Sequence, residues 1–316
     1  MTIAFMFPGQ GSQAVGMGKA LAENFAAARA VFGEVDAALN QKLTQLMWDG
    51  PEAELTLTEN AQPALMAVSM AVMRVLEVEH GITVATTAKF VAGHSLGEYS
   101  ALAAAGTFSL TDAARLLKIR GQAMQSATPV GMGAMAALLG LDFATATLVA
   151  AEAAQGDVCQ AANDNSDGQV VVSGHRAAVE RSLEIAKAKG AKRAILLPVS
   201  APFHCALMQP AADVMSDALS SVTMYKPVVP VVANIGAAPL IDPLDIRISL
   251  VAQVTGTVRW RECVAYMAAH GITRFYEIGA GKVLTGLSRK NAPEATASAI
   301  GTPDDIAAAA ASIRQG

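Results

Sequence analysis

Apolar positions along the chain follow two rhythms. Short unbroken apolar runs, TIAFMF at 2–7 and KFVAG at 89–93, read as buried strands, each stopped by glycine or proline. Helical spacing fills the stretches between and beyond them: roughly 16–39, 61–80, Leu96 to about Ala105, and a segment opened by the capping pair Thr111-Asp112 that runs to about Ser126. The middle of the chain has its own pace, with strand 133–139, helix 142–155, strands 158–163 and 169–173, helix 176–189 and strand 192–199. That order, β-α-β-β-α-β, is the split unit of ferredoxin-like folds. A helix from about 208, a strand at 228–233, a helix at 261–270, a strand at 273–278 and a final helical region complete the reading. Strands alternating with helices on both sides of the insertion imply an α/β class with a covered, mostly parallel sheet. The expected organisation is a core built from 1–127 and 201–316, carrying residues 128–200 as a small inserted subdomain.

Composition sharpens this picture. Hydrophobic residues make up 53% and charged residues 16%, enough for a sizeable core and too apolar for a disordered chain. The apolar stretches are interrupted before the ~20 residues that a membrane span needs. Residues 64–79 come nearest, but Arg74 and an acidic end mark them as a core helix. The N-terminus, MTIAFMFPGQGS, shows neither a basic leader nor a small-residue cleavage site. Cys159, Cys205 and Cys263 stand apart, with no disulfide framework and no metal-ligand spacing. A reducing cytoplasm, a monomer and no membrane are expected. The formal charge of −4 offers no general attraction to nucleic acid.

Candidate chemistry begins at Gly93-His94-Ser95-Leu96-Gly97, a G-x-S-x-G pattern between a predicted strand and a predicted helix. Such a turn holds the serine hydroxyl clear of the backbone, and flanking glycines relieve the crowding. The helix opening at Leu96 aims backbone N–H groups at an oxyanion forming beside Ser95. A serine nucleophile needs a base, and there are five histidines. His80 and His270 end helices before a glycine, His175 starts a surface helix, and His94 should point away from its neighbour Ser95. A lone histidine is more often structural, but elimination singles out His204, just beyond a strand end. Asp213 and Asp242 are the acids a full triad would call on; a Ser-His pair held by a main-chain carbonyl is simpler. On the helix ending near Ser126, Ala113, Leu117, Arg120 and Met124 share one face, so an apolar stripe carries a guanidinium in its middle. An arginine there ordinarily snorkels to the rim; beside a nucleophile, it suits a substrate carboxylate.

Other readings are weaker. Gly9-Gln10-Gly11-Ser12-Gln13-Ala14 loosely fits a dinucleotide turn, but Glu34 and Asp36, at the right distance for the acidic partner, fall in a helical stretch. A serine esterase or thioesterase uses the same turn and base, and a non-catalytic relative would keep the fold alone.

FPGQGSQ at 7–13, TENAQPAL at 58–65, GHSLGEYSAL at 93–102, RGQAMQ at 120–125, HCALM at 204–208 and YEIGAGKVLTGL at 276–287 together resemble the malonyl-CoA:acyl carrier protein transacylases of bacterial fatty acid synthesis. The resemblance covers nearly the whole chain. It implies a hydrolase-like α/β core with a ferredoxin-like insertion, Ser95 as acylated nucleophile and His204 as its base. It further implies an oxyanion hole from Gln10 and the Leu96 backbone N–H, Arg120 as reader of the malonyl carboxylate, and Gln253 as the residue orienting the histidine. The surrounding VAQVTGTVRW departs from the family wording, with Thr257 where a proline-like spacing is expected. Malonyl-CoA and an acyl carrier protein are the implied partners, with the coenzyme A thioester as substrate and no tightly bound cofactor or metal. Carrier proteins are acidic, so docking calls for a local basic patch. Lys192 and Arg193, near Lys187 and Lys189, and the pair Arg289-Lys290 are the candidates.

Overall fold

Five consecutive buried residues put β1 (Ile3–Phe7) in the middle of a six-stranded sheet. Its side chains alternate between two cores. Ile3, Phe5 and Phe7 face one cluster, while Ala4 and Met6 face the other. Burial on both faces explains why the sequence there is an unbroken apolar run. The computed structural model describes residues 2–315 and contains nine further strands. These are β2 (Ala88–Gly93), β3 (Gly133–Leu139), β4 (Cys159–Ser166), β5 (Gln169–His175), β6 (Arg193–Leu196), β7 (Val231–Val232), β8 (Pro239–Leu240), β9 (Arg274–Ile278) and β10 (Thr296–Ile300). The large sheet runs β10-β9-β1-β2-β7-β8, parallel throughout except for the β7–β8 edge.

The second sheet, β4-β5-β3-β6, is antiparallel. Helices Phe143–Ala154 and Arg176–Ala188 cover it with a core of its own that includes Leu138, Val149, Val172 and Val179. Its seam with the large sheet is built from backbone. Val258 bridges Asn163 in parallel, the Asp164 N–H donates to the Val258 carbonyl, and the Val258 N–H donates to the Ala162 carbonyl. Thr257, where the family wording fails, donates its hydroxyl to the Ala161 carbonyl at 2.6 Å. Arg261 clamps the buried Asp164 at 2.8 Å.

Several elements differ from the sequence expectation. The helical stretch 16–39 is two helices, Lys19–Asn24 and Ala26–Leu39, because Phe25 takes an extended conformation between them. The helix at 61–80 starts earlier, at Thr58, and Gly81 ends it in the left-handed conformation. By length and composition this 23-residue helix could cross a membrane, but 78% of its apolar window is buried inside the fold. The helix Leu110–Ser126 is capped by Ser109, whose hydroxyl accepts the Asp112 N–H, rather than by Thr111-Asp112. Helix Pro243–Thr255 and strand β10 have no counterpart in the sequence reading. The strand expected at 228–233 shrinks to Val231–Val232.

Candidate active site

Ser95 sits between the end of β2 and helix Gly97–Ala104, at a φ of +52°. The turn leaves no room for side chains on its flanks. A Cβ on Gly93 would lie 1.9 Å from the Gly97 carbonyl, and one on Gly97 2.2 Å from the Phe7 carbonyl oxygen. Asn234, just past β7, spans the turn: its Oδ1 accepts the Ser95 N–H at 2.8 Å and its Nδ2 donates to the Gly93 carbonyl at 2.8 Å. The strained conformation, worth ~1–3 kcal/mol, is thereby held from the neighbouring strand. With its own N–H engaged, the serine leaves the next donor, the Leu96 N–H, without a protein acceptor among the described residues.

His204 also has a left-handed backbone, with φ +59°. Its Nδ1 lies 2.9 Å from the Gln253 carbonyl and its Nε2 lies 2.8 Å from Ser95 Oγ. A carbonyl only accepts, so Nδ1 carries the proton and Nε2 presents its lone pair to the serine hydroxyl. Gln253 lies in the last turn of helix Pro243–Thr255, where carbonyls lack intrahelical partners. That helix end is therefore both acceptor and negative pole for an imidazolium forming on His204. Burial, with the Arg120 guanidinium adding to it, pushes the His204 pKa down to about 3, so the ring is neutral at ordinary pH. Neither acid considered for a triad reaches it. Exposed Asp213 accepts from Gln209, and exposed Asp242 caps helix Pro243–Thr255.

Arg120 is 1% exposed and lies inside the site rather than at its rim. One terminal nitrogen donates to Gln62 Oε1 at 2.8 Å; the other donates to Ser95 Oγ at 3.1 Å and to Gln253 Oε1 at 2.9 Å. The guanidinium stands 5.6 Å from the centre of the Tyr99 ring. Burial disfavours its charge, while Tyr99 and Glu98 favour it. Among the described residues it has no carboxylate within ion-pair distance.

Gln10, Ser95, Leu96, Arg120 and His204 line one cavity of about 480 Å³. The small sheet contributes Met135, Asn163, Asn165 and Val171 to its lining, and Leu197, Val199 and Val283 line it as well. Gln10 Oε1 accepts from the Thr58 hydroxyl at 2.9 Å. Thus Gln10, Ser95, Leu96, Arg120, His204 and Gln253 are brought together. The other four histidines are elsewhere engaged. His94 lines the cavity, but its Nε2 is 2.8 Å from Asn165 Oδ1 and its ring lies near Trp260. His175 accepts the Val158 N–H, His80 ends its helix, and His270 stacks on Tyr266.

Lys192, Arg193, Arg289 and Lys290 are exposed. Lys192 and Arg193 stand at the start of β6, whose continuation supplies Leu197 to the cavity. Arg289 and Lys290 end helix Val283–Asn291, whose first turns supply Val283, Leu284 and Leu287; none of the four lines the cavity. Lys187 and Lys189 are instead paired with Glu184 and Glu152, at 2.8 and 2.9 Å.

Sequence reasoning missed Asn234, Glu98, Thr58 and Gln62. Glu98 is buried in the first turn of the helix after Ser95, where one oxygen accepts from the Asn234 N–H and from Gln253 Nε2, both at 2.9 Å. Burial pushes its pKa up to about 7. Glu98 and Gln62 carried only the signal of a polar residue inside an apolar helical stretch; Thr58, ahead of the expected helix, and Asn234, in the turn after β7, carried none.

Comparison with known proteins adds an independent finding. The acyl transferase domain family matches residues 4–302. The chain is similar to the malonyl CoA-acyl carrier protein transacylase of Escherichia coli K12, with 48% identity over 306 residues, 97% of this chain and 98% of the relative. A protein of the same name from Bacillus subtilis strain 168 is 45% identical, covering 99% of this chain and 98% of the relative. The crystal structure of an acyl-carrier-protein S-malonyltransferase from Bartonella henselae superposes with a TM-score of 0.97 at 57% identity, over 99% of this chain and all (100%) of that one. A malonyl-transacylase solved in complex with a type II PKS acyl-carrier protein superposes with a TM-score of 0.95 at 41% identity, over 99% of this chain and 100% of that one.

Proposed function

This chain belongs to the acyl transferase family, and from that premise we propose that it moves a malonyl group from malonyl-CoA to the phosphopantetheine thiol of an acyl carrier protein through an ester on Ser95. One observation carries the choice of acyl group: the Arg120 fork reaches the nucleophile itself, 3.1 Å from Ser95 Oγ, in a cavity where no carboxylate among the described residues pairs with it. A malonyl thioester brings the carboxylate that this guanidinium lacks.

In the first half-reaction His204 Nε2 takes the Ser95 proton as Oγ attacks the thioester carbonyl. The oxyanion is held by the Leu96 N–H and Gln10, at the positive end of helix Gly97–Ala104. The tetrahedral adduct collapses, the C–S bond breaks, and His204 returns its proton to the departing coenzyme A sulfur. The carrier thiol then repeats the sequence on the ester, giving a ping-pong exchange. His204 acts as one member of a Ser-His pair, with the Gln253 carbonyl in place of an acid. The exchange runs on side chains and backbone, with the coenzyme A thioester as substrate and no resident cofactor. Lys192, Arg193, Arg289 and Lys290, all exposed, are the basic residues that meet the acidic carrier. The reading also suits a monomer in a reducing cytoplasm, where three buried unpaired cysteines are at home.

Malonyl-CoA alone should leave a covalent malonyl adduct on Ser95, absent in Ser95→Ala, that adding carrier protein discharges to malonyl-carrier. Peptide mass spectrometry locates the adduct, and an adduct elsewhere removes the mechanism. Discharge to free malonate at the rate of carrier transfer would make the protein a hydrolase.

A further inference from the structure

The Gln10 carboxamide can serve an oxyanion with only one of its ends. The NH₂ group donates to the developing charge, whereas the oxygen would repel it. The two ends are nearly equal in shape, so packing alone does not choose between them. We propose that Thr58 and Gln62 form a polarity relay, started by Arg120, that turns the NH₂ end of Gln10 toward the cavity.

The direction of every link follows from the first. A guanidinium only donates, and Arg120 Nη1 lies 2.8 Å from Gln62, so the Gln62 atom facing it is Oε1. The other end of that amide, Nε2, then donates to Thr58 Oγ1 at 2.9 Å. A hydroxyl that has accepted has one proton left to give, and the remaining neighbour of Thr58 Oγ1 is Gln10 Oε1 at 2.9 Å. Gln10 is thereby held by its oxygen, and its Nε2 has no protein acceptor among the described residues. Reversing the Gln62 amide would set a donor against the guanidinium, and reversing the Gln10 amide would leave the Thr58 hydroxyl proton without a protein acceptor among the described residues.

The scaffold is built to keep this order. Thr58 and Gln62 are four apart in the first turns of helix Thr58–His80, on one face. They are 0% and 1% exposed, which limits the access of water to these contacts. Helix Leu110–Ser126 meets that turn backbone to backbone, because a Cβ on Gly121 would lie 2.6 Å from the Thr58 carbonyl oxygen. Arg120, next along, is thus held in register with Gln62. Thr58 and Gln62 are positioning residues: they act on the oxyanion through Gln10.

This inference rests on Gln10 donating to the oxyanion, and the test separates the two ideas. Thr58→Val keeps the shape and removes both hydrogen-bonding roles, and Thr58→Ser keeps both. Thermal melting first establishes that each variant is folded; kcat and KM are then measured with malonyl-CoA and acetyl-CoA. Gln10→Leu should lower kcat about a hundredfold, the usual effect of losing one oxyanion donor. Thr58→Val should lower kcat about threefold to tenfold with both substrates, the worth of one net hydrogen bond. KM should change little, and Thr58→Ser should restore the rate. In the Gln10→Leu background, Thr58→Val should cost nothing more. No loss in Gln10→Leu overturns the oxyanion reading and the relay with it. A loss in Gln10→Leu overturns the relay alone if Thr58→Val is silent, if its cost persists in the Gln10→Leu background, or if it falls only on malonyl transfer.

Discussion

Replacing Arg120 by alanine should change which substrate the enzyme prefers more than whether it works. The side chain makes three hydrogen bonds, to Gln62, to Gln253 and to Ser95 Oγ, and lies over the Tyr99 ring. For malonyl-CoA the variant loses the cation facing the substrate carboxylate in a buried site. Breaking such a pair costs roughly 3–5 kcal/mol, or about a hundredfold to several-thousandfold in kcat/KM. For acetyl-CoA there is no carboxylate to strand, and the loss reduces to the contact with Ser95 Oγ. One net hydrogen bond is worth about 0.5–1.5 kcal/mol, a roughly twofold to tenfold effect. The ratio of malonyl to acetyl transfer should therefore fall by at least about tenfold. Arg120→Lys should recover part of it, since an ammonium keeps the charge without the fork that reaches Gln62 and Gln253 together. Parallel kcat/KM measurements on both thioesters decide the matter. Equal losses would mean that Arg120 organises the serine and its neighbours and does not read the acyl group.

Three further outcomes are expected. Because burial and Arg120 push the His204 pKa down to about 3, the acid limb of kcat/KM should lie well below the usual imidazole value, and Arg120→Ala should move it toward higher pH; a break at the ordinary histidine value in the parent refutes this. The pair Lys192→Glu with Arg193→Glu should weaken transfer to carrier protein and flatten its salt dependence while sparing a small pantetheine acceptor, and equal loss with both acceptors removes the docking role. Gly121→Ala should cost about 1–3 kcal/mol of stability through overpacking, because the new Cβ meets backbone atoms of Glu59 at 2.5 Å; an unchanged melting temperature would contradict the close approach of the two helices.

What the sequence displayed of the site was whatever lies in a short contiguous stretch. The nucleophile turn needs Gly93 and Gly97 because backbone fills the space on both flanks, and that requirement is written directly in the motif. Arg120 was visible because its helix has a clean apolar face, with Ala113, Leu117 and Met124 all buried. The βαββαβ order emerged because each strand of the small sheet pairs antiparallel with its neighbour and keeps its own compact core. Helix Pro243–Thr255 stayed hidden because it breaks the amphipathic pattern: Leu244 and Ile248 are exposed while the polar Gln253 is fully buried. Gln253 itself was named only through family likeness, and the carbonyl facing His204 could not have been derived from spacing. Asn234 meets Ser95 and Glu98 across 139 and 136 positions of chain, so no local pattern pairs them. The break at Phe25 is a tertiary choice imposed on residues that read equally well as one continuous helix.

The acceptor for His204 is a peptide carbonyl, and that alters how the site responds to mutation. Every amino acid supplies the same oxygen, so no single substitution at position 253 deletes it. Changing Gln253 to alanine strips the contacts to Arg120, Glu98, Asn234 and the Ser95 carbonyl, yet leaves the histidine's partner in place. An alanine scan would register the loss of those side-chain contacts and still leave the carbonyl that faces His204 untested. A chain drifting under random substitution keeps this element for as long as the helix end stays where it is. Its loss requires moving that end, by an insertion, a deletion or a repacked core beneath Leu250 and Val254.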